Sequence, residues 1–370
     1  MSLLGNCYSG ALLAVLLLGM PLHTAEATLA KPVATVVRPT PATVGPRPDQ
    51  APTVTYKKEA DGDWRLEDGK TKAPFNFANG HRDLIVHPGD KIVFKRVKFD
   101  GHLNIGPVWN YPDGSKPGEA EILIEDCLIS GGLSISTAGK MQVKISHSSI
   151  LGGISFCPSP ESLITADHVS IVAADGGDAA RINRQRNLGK YPYGPDSRTP
   201  VTMKDCIIKT TGPTKPGDHR DAMQVFGGIG ISFTNVVFDL NSGEYPGIGN
   251  GQNAALFIED GSNGSVGDID IIDCWFIGSG SYHLMGIQRR EGSTSRNINL
   301  IRPRLQKGIT PLYKTDFPAF QNGIYKLESP IYSDDLTPVP LASFGLSEKN
   351  SPPPMTTDDK STPAHSHLKQ

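Results

Sequence analysis

The stretch VTMKDCII (201–208) carries the reading of the whole chain. Apolar residues stand at its first and third positions, an acidic turn former at the fifth and a large aliphatic at the eighth. Alternation with a period of two marks a strand with one buried face. The same plan returns in IVFKRVKF (92–99), ILIEDCLI (122–129), VKISHSSI (143–150), LITADHVS (163–170), ISFTNVVF (231–238), IDIIDCWF (269–276) and INLIRPRL (298–305). Third positions read Phe94, Ile124, Ile145, Thr165, Met203, Phe233, Ile271 and Leu300. Eighth positions read Phe99, Ile129, Ile150, Ser170, Ile208, Phe238, Phe276 and Leu305, and the fifth is usually a turn former: Asp126, Asp167, Asp205, Asn235 or Asp273.

Third positions are spaced by 30, 21, 20, 38, 30, 38 and 29 residues. A fixed short strand with connections of variable length is the mark of a solenoid. Second apolar strands follow most copies after glycine, as in GHLNIG, GGLSIS and GGISFC, and again in DAMQVF, NAALFI and YHLMGI. A β-sandwich needs antiparallel hairpins on short turns, which these spacings do not suit. The expected fold is all-β, a single-stranded right-handed parallel β-helix with long loops on one side. Stacked aliphatics and Asp/Asn corners make the chain resemble the pectate-lyase-like superfamily of such β-helices.

The ends differ from the middle. The run ALLAVLLLGM (11–20) is too short to span a bilayer, which needs roughly 20 apolar residues. Ala25-Glu26-Ala27 after it has the small-x-small form of a signal-peptidase site. Residues 1–27 therefore read as a signal peptide, with a secreted or periplasmic product and no stable membrane insertion. Residues 28–54 are rich in Pro, Thr and Ala without an aromatic, the composition of a disordered linker. Residues 55–345 form the expected β-helix domain, and 346–370 a disordered tail. The formal charge of −2 over 370 residues offers no basic field for nucleic acid; a monomer is expected.

Cys127, Cys206 and Cys274 share the sixth position of their copies. One inward column would hold all three, with Cys127 and Cys206 roughly 14 Å apart across three coils. A disulfide needs Cα atoms within about 7 Å, so these read as small buried hydrophobes, with Cys157 a further free thiol.

Chemistry has to lie on the outside, because the interior is filled by apolar columns. The two 38-residue spacings flank the coil holding KPGDHRDAMQVFGG (215–228). Aligning HRDAMQVF, GQNAALFI and SYHLMGI brings Asp221 near Asn253 and near Tyr282 or His283, with His219 and Gln252 bordering the strip and Gln224, three residues past Asp221, compatible with either face. The competing reading makes Asp221 and Asn253 corner residues that cap turns. Resemblance to the superfamily implies polysaccharide chemistry by a lyase, epimerase or hydrolase. Hydrolysis calls for two carboxyl groups about 5–9.5 Å apart, and the coil after Asp221 offers Asn253 instead. Elimination or epimerisation at C5 of a uronate polymer suits the set better. His219 would be the base, Arg220 or a neighbouring arginine the carboxylate partner and Tyr282 the acid, with Asp221 beside them.

The run Asp218-His219-Arg220-Asp221 is similar to the Asp-Pro-His-Asp motif of alginate C5-epimerases, departing by the absent Pro and the inserted Arg220. Basic and aromatic residues around it, namely Arg181, Arg184, Arg186, Lys190, Tyr191 and Tyr193, fit an acidic sugar chain, as does a substrate-binding role for Gln224, Asn253 and His283. Calcium is an open candidate through Glu259, Asp260, Asp268 and Asp270, which lack EF-hand spacing, and no metal ligand set is assigned. A non-catalytic carbohydrate-binding or adhesive β-helix is the rival, and a glycoside hydrolase the second.

Overall fold

The computed structural model describes residues 26–28, 36–74, 83–107, 119–173, 177–183, 198–211, 220–240, 254–260, 266–278, 282–288, 296–312 and 324–344. Three long sheets, parallel except at one terminal hairpin, wind a parallel β-helix. One coil illustrates the plan. Met141–Ser146 lies on the first face, the chain turns at His147, and Ser149–Ile150 lies on the second face. After Gly152 and Gly153, Ile154–Cys157 lies on the third face, and Leu163–Asp167 begins the next coil against Met141–Ser146.

Strand alternation sends every other side chain inward, and the pairing stacks these into columns. On the first face Phe94, Ile124, Ile145, Ala166, Met203, Phe233, Ile271, Leu300 and Leu327 follow one another, all buried. The second face adds Phe99, Ile129, Ile150, Ile171, Ile208, Phe238, Phe276 and Leu305. Two differences from the repeat as read in the sequence stand out. The fourth copy starts at Ile164 rather than Leu163, so Ala166 and Ile171 replace Thr165 and Ser170; Leu163 is 39% exposed. A further copy, YKLESPIY (325–332), places Leu327 on top of Leu300.

Each turn from first to second face is made by one residue in the left-handed region. Arg96, Asp126, His147, His168, Asp205, Asn235, Asp273, Arg302 and Ser329 have φ between 45° and 57°. Asn, Asp and His tolerate this conformation best among non-glycine residues, which explains the fifth-position signature. Their N–H groups stay satisfied by donating to the neighbouring coil, as His147 does to Asp167 O and Asn235 to Ile272 O.

The cysteine column is as expected. Cys127, Cys206 and Cys274 are buried and free. Carbonyls of Cys127, Ser148, Val169, Cys206 and Val236 accept the second-face amides of successive coils, which sets Cys127 and Cys206 three coils apart. Each thiol lies between two carbonyls, one in its own coil (Glu125 O at 3.2 Å, Lys204 O at 3.1 Å, Ile272 O at 3.4 Å) and one in the preceding coil (Phe94 O at 3.5 Å, Ala166 O at 3.6 Å, Phe233 O at 3.4 Å).

Both ends of the core are covered. Val54–Lys58 and Trp64–Leu66 form a hairpin on the first coil, where Trp64 packs edge-on against Phe99 at 5.5 Å. Val339 and Phe344 join the core from the C-terminal side. The described part of the segment expected as a disordered linker, residues 36–54, is instead laid along the corner. The Val37 carbonyl accepts from Asn235, Arg38 sits over Trp275, Gly45 donates to His168 O, Arg47 binds Asp126 and Glu125, and Thr53 donates to Arg96 O. Val44 packs on Ile207, Val237 and Trp275, an apolar stripe on the outside of the second face. Composition pointed to disorder because this strap has little apolar surface of its own; the surface it covers belongs to distant coils. Glu26–Thr28, at the expected cleavage site, pairs in parallel with Lys326–Glu328. No helix among the described residues is long and apolar enough to cross a membrane.

Candidate functional site

The strip predicted around Asp221 lies on the outside of the third face. Ala180–Asn183, Met223–Phe226, Ala254–Asp260 and Tyr282–Gln288 pair in parallel there. Their inward residues, such as Ile182, Val225 and Ile258, belong to the core. Their outward residues align in rows: Arg181 beside Gln224 beside Phe257, and Asn183 beside Phe226 beside Glu259. Tyr282 pairs with Ala254 and joins the same patch.

A chain of hydrogen bonds orders this patch. The Arg181 guanidinium donates through Nη2 to Asp178 Oδ2 at 2.8 Å and through Nε to Gln224 Oε1 at 3.0 Å. Gln224 Nε2 donates to Asp221 Oδ2 at 2.8 Å, and Asp221 Oδ1 accepts the Ala254 N–H at 2.8 Å. Asp178 Oδ1 accepts the Asp221 N–H at 2.9 Å. Arg181 also lies 5.5 Å over the Phe226 ring, and Phe226 meets Phe257 edge-on at 5.8 Å. The result is a half-exposed cation fixed in orientation beside two aromatic rings. Such a surface can pair a carboxylate with the guanidinium and seat the apolar face of a ring on the aromatics.

The predicted residues divide into three groups. Arg181, Gln224, Asp221 and Tyr282 all stand on the third face, Tyr282 three coils from Arg181, and Ala254 both pairs with Tyr282 and donates its N–H to Asp221. Arg220 and His283 do not face a ligand. Arg220 is completely buried and donates through Nη1 to Thr211 O at 3.2 Å. His283 is 1% exposed, turned toward Phe276, with Nε2 2.9 Å from Gln306 O. Burial pushes its pKa down to about 4, so it is a neutral core group rather than a substrate contact. His219, Asn253, Arg184, Arg186, Lys190, Tyr191 and Tyr193 lie outside the described residues.

Asp221 is 1% exposed and both its oxygens are engaged. This is the capping role weighed for it in the sequence, now with the next coil's N–H as its object. Of the calcium candidates, Glu259 stands on the third face and is nearly buried, whereas Asp268 and Asp270 stand on the first and accept from Asn297 and Asn299, each at 2.8 Å. These three do not converge on one ion. Residues that sequence reasoning missed are Asp178, Phe226 and Phe257. Phe226 and Phe257 stand two residues out of register, Phe226 beside Glu259 and Phe257 beside Gln224, so they meet diagonally and no aromatic row was readable in the sequence. A groove of about 360 Å³ lies elsewhere, on the first face, lined by Val93, Leu123, Lys144 and Leu163.

No protein-family model matches the chain, and no curated protein or solved structure is similar to it.

Proposed function

We propose that this is an exported polysaccharide-active β-helix protein, akin to the pectate-lyase-like superfamily, whose third face binds a uronate polymer. The observation that carries the reading is Arg181, half exposed, held by Asp178 and Gln224 and seated over Phe226 next to Phe257. A guanidinium presented this way suits a sugar carboxylate, and neutralising that carboxylate is what makes the C5 proton removable. Elimination or epimerisation at C5 is the chemistry assigned here, with Arg181 as the carboxylate partner and His219 as the base, while Tyr282, three coils from Arg181, contacts a neighbouring sugar. Arg181 takes the place in this scheme first given to Arg220. The burial and full engagement of Asp221 favour a supporting part for it.

Incubating the full chain with alginate and with pectate tests this directly. Absorbance of unsaturated uronate ends, or a changed epimer ratio by NMR, is expected with at least one polymer. Arg181→Ala should weaken binding roughly 10- to 100-fold, the worth of a charged hydrogen-bonded contact. Binding without either product would leave the carbohydrate-binding reading in place of the enzyme. Absence of binding to both polymers would remove the acidic-polysaccharide reading altogether.

A further inference from the structure

The corner ladder holds two histidines in succession, and the 36–53 strap passes over them. His147 and His168 stack with ring centroids 4.9 Å apart and planes at 28°. Gly45 of the strap donates its N–H to His168 O at 2.9 Å and has a positive φ of 84°. A Cβ at Gly45 would come within 2.6 Å of Ser149 Oγ, so the strap backbone lies directly on this part of the corner. Two residues on, Arg47 reaches the preceding coil, donating through Nε to Asp126 Oδ1 at 2.9 Å and pairing with Glu125 at 2.9 Å.

We propose that His147, stacked on His168 beneath the 36–53 strap, makes docking of the strap respond to pH, holding it closed near neutrality and loosening it in mild acid.

The charges around the pair decide the direction. Arg47 faces it from the strap, Glu125 and Asp126 from the preceding coil, and Asp205 with Lys204 from the following one. Asp167 Oδ1 lies 2.9 Å from His168 Nδ1 and offsets a charge there. Arg47 already occupies Glu125 and Asp126, so a proton on His147 is placed between the stacked His168 ring and the Arg47 cation. Burial first, then His168 and Arg47, keep the His147 pKa below its ordinary value. Lifting the strap withdraws Arg47 and uncovers the ring. The lifted state therefore binds a proton more readily, and docking weakens as pH falls below about 6.5. Asp126 acts in the same direction but in a separate window. Arg47 holds its pKa low by hydrogen bonding, so its contribution is lost only below about pH 4. Loosening uncovers the apolar stripe of Ile207, Val237 and Trp275 now covered by Val44.

Hydrogen–deuterium exchange of the full chain, read at the Gly45 amide and corrected for the intrinsic effect of pH, tests this. Protection at Gly45 should fall by up to about tenfold between about pH 7.5 and pH 5.5, while core amides such as that of Leu133, which donates to Gly153 O, keep theirs. His147→Asn should hold its Gly45 protection across that interval; Asn suits the left-handed corner, where Asn235 already stands in the same ladder. Arg47→Ala should lower protection at both pH values. The proposal is overturned if the wild type keeps its protection at pH 5.5, or if His147→Asn loses as much as the wild type. Unchanged protection in Arg47→Ala would overturn the assigned docking itself.

Discussion

The Asp221 carboxylate accepts the Ala254 N–H through one oxygen and Gln224 through the other, and Asp178 repeats the pattern one coil earlier on the Asp221 N–H. Acids at the start of third-face strands thus satisfy amides of the next coil that would otherwise be buried without a partner. Removing one leaves such an amide stranded, so Asp221→Ala should destabilise the fold by about 1–3 kcal/mol, measured by urea unfolding. Complete loss of turnover with no change in urea midpoint would instead make Asp221 catalytic. His283 gives a pH signature at the same scale. Its folded pKa of about 4 lies below the ordinary 6.5, so between these values the unfolded chain takes a proton that the folded one refuses. Stability should therefore fall as pH drops from about 6.5 toward 4, by on the order of 3 kcal/mol. His283→Gln should flatten that slope in urea titrations; an unchanged slope would mean the ring is not buried neutral.

At the scale of elements, the passage from second to third face depends on close backbone approach. A Cβ on Gly131 would stand 2.2 Å from the carbonyl carbon of Gly101, and neither is the movable end of a side chain. Gly131→Ala must push two coils apart, and overpacking of this kind costs roughly 1–3 kcal/mol or more. Reduced soluble yield and a lower melting temperature are expected, and a variant as stable as the parent would refute the contact. The strap belongs to this scale too. Its sequence has neither alternation nor a helical period, yet it meets coils from Asn235 back to Arg96 through single backbone and side-chain contacts.

For the molecule as a whole, each coil rests on its neighbours and the apolar columns run from Trp64 at one end to Phe344 at the other. Cys127, Cys206 and Cys274 report on that continuity. Burial pushes their thiols up to about 11, about 12 and about 12. Thiolate is the reactive form, so these three should stay unmodified by a thiol reagent in native buffer and react together on unfolding. Peptide mapping after labelling would show this, and modification of Cys206 in the native state would contradict the stacked column. Much of this scale was legible beforehand. The inward columns, the corner position and the cysteine row follow from the eight segments, while the ninth at Leu327 escaped because a bulge between Ile298 and Asn299 offsets its pairing. The site was legible only in part. Arg181 and Gln224 fall in one outward row as their alternation demands, whereas Tyr282 has the parity of the inward Leu284, and Arg220 and His283, equally polar in sequence, are turned inside.

The sequence alone determined that the chain coils, and where each coil turns. Strand alternation writes inside and outside into neighbouring residues, and a left-handed corner restricts which residues can occupy it. Tertiary structure decided what needs distant partners. Leu163 and Ile164 are equally apolar, and only stacking on Val143 and Val201 selects Ile164. The strap gains its order from Trp275 and Asp126, and Arg181 its orientation from Asp178 and Gln224. Those contacts join residues that local pattern cannot connect, because burial and charge pairing depend on which coil lies next door.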